Sequence, residues 1–309
     1  MSHTKRIGIS VLELFKMFPD EGTARKWFEN LRWGKSGRYC PCCGSFETNE
    51  VPNETPMPYH CKSCRTYFSV KSGTVMQSSR VPLQKWVIAI YLISTNLKGV
   101  SSMKLHRDLG VTQKTAWFMA QKIRQGYISG SDEKLSGNIE VDETYMGGKE
   151  KNKHSSKKLK QGRGAVGKIA IIGAKQRDGR IIAKPIDKTD RETLHEFIEE
   201  NTDKGATILT DEHRGYIGLK DRLHHTVCHS MGEYVNGQAH TNGIESFWSL
   251  FKRGYHGTFH HISKKHMHRY VDEFAGRHNI RYKNTMDQMS DVVKGFDNKR
   301  LRYKDLIAV

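Results

Sequence analysis

Apolar residues recur at helical spacing through the first part of the chain and in alternating fashion through its middle. Val11, Leu12, Leu14 and Phe15, then Trp27, Phe28 and Leu31, predict two short helices between residues 10 and 32, separated near Pro19. Residues 83–95 (LQKWVIAIYLIST) are nearly all apolar and predict a buried helix. A helix over Ser101 to Asp108 follows, then the turn Leu109-Gly110-Val111 and a second helix with Thr112 as its N-cap, running to Gln125. From there the period changes. Asn138 to Tyr145, Lys168 to Lys175, Arg180 to Ile186 and Ala206 to Thr210 read as strands, with a helix before the last opened by a Thr189/Glu192 capping box. The chain is helical again from Asn242 to Asn279 and ends in a polar tail, and no internal repeat is evident.

Two stretches fall outside this periodicity. Gly34 to Arg80 is rich in cysteine, glycine and proline with short β-like pieces such as Thr66 to Val70, the composition of a small module that needs a staple. Its Cys40-x-x-Cys43 and Cys61-x-x-Cys64 pairs are separated by 17 residues. Each pair can form a knuckle with two thiolates, and two knuckles complete the closed tetrahedral set of a structural zinc site. Cys42 and His60 stand beside the pairs as alternative ligands, at the expense of the symmetrical spacing. The second stretch, Lys149 to Gly167, is lysine- and glycine-rich and reads as a solvated loop, either a DNA contact or a plain insertion.

Charge narrows the choice of partner. With 51 Lys and Arg against 33 Asp and Glu, the net charge is +18, which favours a polyanion. Met1 to Ser10 lacks an apolar signal-peptide core, and Trp86 to Ile93, the longest apolar run, is too short to cross a bilayer. A cytoplasmic, nucleoid-associated protein without a membrane partner is expected. The two helices around Gly110 match a helix-turn-helix, with Gln113, Lys114 and Gln121 toward DNA and Ala116, Met119 and Ile123 inward, although a plain helical hairpin has the same spacing. Lys104, His106, Arg107, Lys114, Lys122 and Arg124 in this region weigh toward DNA.

The middle of the chain supplies candidate chemistry. In Asn138 to Tyr145 strand alternation puts Ile139 and Val141 on one face and Glu140, Asp142 and Thr144 on the other, with Glu143 turned away from Asp142. Asp211 follows an apolar strand, at the end where ligands gather in open α/β sheets. Glu245 begins a later helix whose stripe of Ile244, Phe247, Trp248 and Phe251 is buried, and it shares the adjacent face with Ser249 and Lys252. The Asn242/Glu245 spacing also suits a helix cap. Three such carboxylates can hold two divalent cations, magnesium or manganese by the hardness of the oxygen ligands, around a phosphodiester.

The stretches CPCCG, HCKSCRTYFSVKSGT, VDETYMGG, LTDEHRGY and HTNGIESFWSLFKRGYHGTFHHIS resemble bacterial insertion-sequence transposases of the DDE type with an N-terminal zinc ribbon, the ISXO2-like group. The resemblance implies an α/β fold: a ribonuclease-H-like catalytic domain (131–284) behind an N-terminal helical segment (1–33), a zinc ribbon (34–80) and a helix-turn-helix module (81–130), with a tail over 285–309. It implies Asp142, Asp211 and Glu245 as the catalytic metal-binding triad, and Lys252 near the scissile phosphate. Arg253 belongs with Lys252 in the DNA-binding set, and His240 and Asn242 match polar positions flanking that motif. The implied activity is binding of double-stranded terminal inverted repeats, then metal-dependent strand cleavage and transfer into target DNA by a homodimer or larger assembly. Two other readings remain open at this point: a DNA-binding regulator without catalysis, and a nuclease that cuts without joining. A tyrosine nuclease built on His266 and His268 fails because i and i+2 do not share a helical face, and Cys228 has no identifiable third partner beside His225 or His229.

Overall fold

The computed structural model describes residues 6–128, 133–148, 154–158, 166–227 and 240–308. Most of the lysine-rich loop, as well as Cys228 and His229, lies outside them. The chain divides into two compact units: Met1–Asn96, Val100–Ser129 and Arg281–Val309 form one, Leu97–Gly99 and Gly130–Ile280 the other. Among the described residues, no helix is long and apolar enough to cross a membrane.

The first unit opens with α1 (Val11–Met17) and α2 (Glu21–Trp33), each begun by a side-chain cap, Ser10 and Asp20 respectively. Three short antiparallel strands follow, β1 (Thr48–Glu50), β2 (Tyr59–Cys61) and β3 (Tyr67–Phe68). Trp33 at the end of α2 packs edge-on against Tyr59 and Phe68, giving this small sheet its apolar contact. Helix α3 (Leu83–Thr95) follows Pro82 and has no cap of its own, but Glu21 of α2 accepts the N–H groups of Leu83 and Gln84 at 2.7 and 2.9 Å.

Helices α4 (Ser102–Leu109) and α5 (Gln113–Gly126) meet at Gly110, whose φ of 57° lies in the left-handed region where glycine carries no steric penalty. Ala116, Met119 and Ile123 are buried, in line with the helical pattern. Gln121 is buried too, so it does not face outward, and Lys122 and Arg124 are likewise internal. The reason is that α5 is covered on more than one side. The segment expected as a tail forms α9 (Thr285–Lys294) and α10 (Tyr303–Ile307), and Tyr303 lies edge-on to Trp117 and Phe118. Gly126 and Gly295 pack so closely that a Cβ on Gly295 would stand 2.2 Å from the Gly126 carbonyl oxygen. Lys299 then donates to the carbonyls of Gln125 and Ile128 at the end of α5.

Lys122 donates to the Gln77 carbonyl at 3.2 Å, and burial pulls its ammonium down to about 8 from the usual 10.5. Because the folded pKa is the lower one, the stability associated with this lysine is full above pH 10.5, falls as pH drops from 10.5 to about 8, and is gone by then, with no further change below. Lys122→Met is expected to raise the melting temperature at pH 7 and flatten its rise between pH 8 and 10. A melting curve at each pH checks this, and a less stable Met variant at pH 7 would contradict it.

The second unit is built on a five-stranded sheet in the order β6-β5-β4-β7-β8. Its strands are β4 (Asn138–Met146), β5 (Ile169–Gln176), β6 (Ile181–Ile186), β7 (Thr207–Thr210) and β8 (Leu223–Thr226). Strands β4, β5 and β6 are antiparallel neighbours, while β7 runs parallel to β4 and β8 parallel to β7. Helix α6 (Arg191–Asn201) covers one face through Leu194, Phe197 and Ile198, packed with Ile139, Val141 and Ile208. Its cap is Asp190, which accepts from the Thr193 N–H at 3.0 Å, and not Thr189. Helices α7 (Asn242–Gly254) and α8 (Met267–Asn279) cover the other face through Ile244, Phe247, Trp248, Phe251 and Phe274.

Gly173 of β5 lies directly across from Asp142, and a Cβ there would come within 2.7 Å of the Trp248 ring and 3.2 Å of Ile244. The missing side chain lets α7 settle onto the sheet beside Asp142. Gly173→Ala is therefore expected to destabilise the protein by about 1–3 kcal/mol through overpacking. Denaturant unfolding measures the effect, and a neutral result would mean that α7 has slack here.

Candidate functional site

The two Cys-x-x-Cys turns have the same construction. Cys40 N–H donates to Ser45 and Cys61 N–H to Thr66, at 2.9 and 3.0 Å, and the residues after the second cysteine of each pair, Gly44 and Arg65, both have positive φ. The turns bring the sulfurs together, with Cys40 Sγ 3.6 Å from Cys64 Sγ and Cys43 Sγ 3.6 Å from Cys61 Sγ. All four ligand atoms lie within 4.8 Å of one another. Zinc–sulfur bonds of about 2.3 Å at tetrahedral angles put sulfurs roughly 3.8 Å apart, so the cage fits zinc. Cys42 is exposed and outside the group, and half-buried His60, whose ring rests against Tyr67, is outside it too.

In the second unit Asp142 points from β4 toward the α7 side. The parallel register pairs Asn138 with Thr207 and Glu140 with Leu209, and continuing it by two residues brings Asp211 level with Asp142. Asp211 accepts the His213 N–H at 3.0 Å, which bends the chain away from the strand end. Glu245 lies in the first turn of α7 and accepts the hydroxyl of the buried Thr241 at 2.8 Å. Thr241 starts that helix, so the Asn242/Glu245 spacing forms no capping box.

Asp142 and Glu245 line one cavity of about 560 Å³ together with Glu143, Thr144, Trp248, Ser249, Lys252, Arg253 and His256. Burial, then the charges of Glu143, Asp211 and Glu245, push the Asp142 carboxyl up to about 7. A cation near these oxygens would offset that repulsion. Among the described residues, the four thiolates are the group of potential metal ligands whose atoms lie within 4.8 Å of one another.

The other expected site residues separate by element. Lys252 and Arg253 are exposed on α7 at the cavity. Asn242 is exposed at the start of that helix, while His240 is half-buried with Nδ1 3.4 Å from Glu140. In the first unit Gln113 is exposed and donates to Ser102 of α4, and the Lys114 ammonium sits 4.4 Å from the centre of the Tyr303 ring. His266 falls in a 3-10 turn and His268 in α8, so no strand aligns them.

Sequence reasoning missed the parts played by Tyr216, His213 and His256. Glu143 faces the α6 side, where the fully buried Tyr216 donates its hydroxyl to the carboxylate, and His213 Nδ1 lies 3.9 Å from it. Burial first, with Asp211 adding to it, holds the Glu143 carboxyl above its usual range, although Tyr216 opposes the shift. Tyr216 therefore ties the loop after Asp211 to the strand carrying Asp142. His256 reaches the cavity from a π-helical turn, Tyr255–Phe259, that continues α7. No spacing in the sequence marks that turn.

Residues 134–279 match the ISXO2-like transposase domain, and residues 19–67 match the transposase zinc-ribbon domain. The chain thus carries an ISXO2-like transposase domain behind a transposase zinc ribbon. An uncharacterized protein in transposable element ISH50 of Halobacterium salinarum is 28% identical over 254 residues, covering 77% of this chain and 84% of that protein. The four cysteines of the cage fall within the matched zinc ribbon, and the acid-lined cavity falls wholly within the matched transposase domain.

Proposed function

We propose that this transposase cleaves DNA at the ends of its element and transfers the freed strands to target DNA at the cavity lined by Asp142 and Glu245. The observation that carries the reading is the convergence there of acids from distant stretches of chain, with Lys252 on the same wall and Asp211 near enough to raise the Asp142 pKa. The sheet order, with three antiparallel strands followed by two parallel ones and helices on both faces, supports a ribonuclease-H-like reading of this unit.

Asp142, Asp211 and Glu245 would hold the divalent cations, and the mutual repulsion that raises Asp142 is what bound cations would relieve. Bound there, magnesium or manganese supplies Lewis-acid activation of the phosphodiester for in-line attack. Lys252 and Arg253 pair with backbone phosphates and orient the scissile bond. Tyr216 and His213 hold the Asp211 loop in place through Glu143 and the backbone. In the first unit α4 and α5 act as a helix-turn-helix, with Gln113 and Lys114 toward the inverted repeats, and the zinc ribbon adds backbone contacts. Joining two element ends calls for a homodimer or larger complex.

The test is incubation of the protein with labelled element ends and supercoiled target in Mg²⁺, with and without chelator. Metal-dependent nicked ends and joined products are expected. Nicks without joined products would indicate a nuclease, and end binding with neither product would indicate a regulator.

A further inference from the structure

Glu140 precedes Asp142 by two residues on β4 and is 1% exposed. A carboxylate so fully buried needs partners. Its Oε2 accepts the Ile244 N–H at 2.8 Å, in the first turn of α7, where Thr241 provides no side-chain cap. Arg177 Nε and His240 Nδ1 stand 3.5 and 3.4 Å from Oε1. Lys175 lies directly across the β4–β5 ladder. A Cβ on Gly243 would fall 2.2 Å from the Lys175 ammonium and 2.6 Å from Glu140 Oε2, so the glycine leaves room for this contact.

These contacts join two pieces of the cavity that the chain itself keeps 104 residues apart. Asp142 is the next residue of β4 on the same face as Glu140, about 6.6 Å along the strand. Glu245 is the next residue of α7 after Ile244. A carboxylate facing the positive end of a helix is also favoured electrostatically, and this one has the Arg177 guanidinium behind it to balance its charge.

We propose that Glu140 is a positioning residue: its buried carboxylate pins the first turn of α7 to β4 and so sets Glu245 beside Asp142. The inference rests on the reading of Asp142 and Glu245 as cation ligands. Glu140 itself touches neither cation nor DNA. Trp248 and Phe251 hold α7 on the sheet in any case, so the role of Glu140 is to fix where along β4 the helix begins.

The experiment uses the full-length, zinc-loaded protein and measures Mn²⁺ affinity from the electron paramagnetic resonance of the free ion, with circular dichroism on the same samples. Glu140→Leu removes the acceptor and is expected to weaken Mn²⁺ binding by about 10- to 100-fold, the range typical of outer-shell groups at metal sites. Glu140→Gln keeps a carbonyl oxygen for the Ile244 N–H and is expected to stay close to wild type. A folded Glu140→Leu protein with wild-type Mn²⁺ affinity overturns the inference, since a purely structural carboxylate would lower only the melting temperature. If the leucine variant does not fold, Gly243→Ala presses a methyl into the same contact and must weaken Mn²⁺ binding, and unchanged affinity there is equally fatal. Asp142→Ala is run in parallel. If it retains wild-type affinity, the cation-site reading fails and this inference with it; if it loses Mn²⁺ while Glu140→Leu does not, only the positioning role fails.

Discussion

Alanine at Asp142 or at Asp211 is expected to reduce cleavage of labelled element ends by about a thousandfold or more while leaving end binding intact. On the proposed reading each substitution would remove an oxygen ligand from cations whose transition-state stabilisation amounts to several kcal/mol, and each 1.4 kcal/mol is roughly tenfold in rate. Binding survives because neither acid is part of the basic surface; removing one negative charge from the cavity leaves Lys252 and Arg253 in place. The change relieves crowding as well, since Asp211 is among the charges that raise Asp142. Glu196→Ala, on the exposed side of α6, serves as the control that should cleave normally. Gel-shift titration without divalent cations and a cleavage time course in Mg²⁺ separate the two quantities. Undiminished cleavage by either aspartate variant would falsify the assignment.

The other large effect is expected at the ribbon. Its three strands contain few residues, and their packing on Trp33 through Tyr59 and Phe68 makes too small a core to hold alone. Structural zinc sites contribute apparent binding free energies of about 10–16 kcal/mol to folding. Cys61→Ser replaces a fully buried ligand and is expected to abolish zinc retention and expose residues 38–66 to protease. Cys42→Ser, at an exposed position outside the cage, should keep the metal. Atomic absorption and a limited-proteolysis time course provide the readouts. A Cys61→Ser protein that kept one zinc and resisted protease would show that the thiolate cage is not what folds the ribbon.

What the sequence revealed followed from local periodicity. The alternation in β4, the helical stripe of α7 and the repeated Cys-x-x-Cys turns each depend on neighbouring residues, and each appears where the pattern put it. What stayed hidden depends on distant partners. Helices α3 and α7 begin without a cap of their own, and their N–H groups are met by Glu21 and Glu140 from elsewhere in the chain. Glu140 looked like an ordinary polar-face residue because alternation gives the face and says nothing of what covers it. β8 escaped notice because Leu223, His224, His225 and Thr226 form an edge strand with hardly any buried side chain. Gln121 read as outward because helices that enclose α5 come from far later in the chain.

That late return has a consequence for how the protein is made. Residues 130–280 leave the ribosome as a complete unit, whereas the unit begun by the N-terminal residues is unfinished until Met289, Val292, Val293 and Phe296 emerge to fill it. A message broken before codon 285 would thus yield a polypeptide with its second unit intact and its first unit open, with Gly126 facing solvent where Val292 and Gly295 belong.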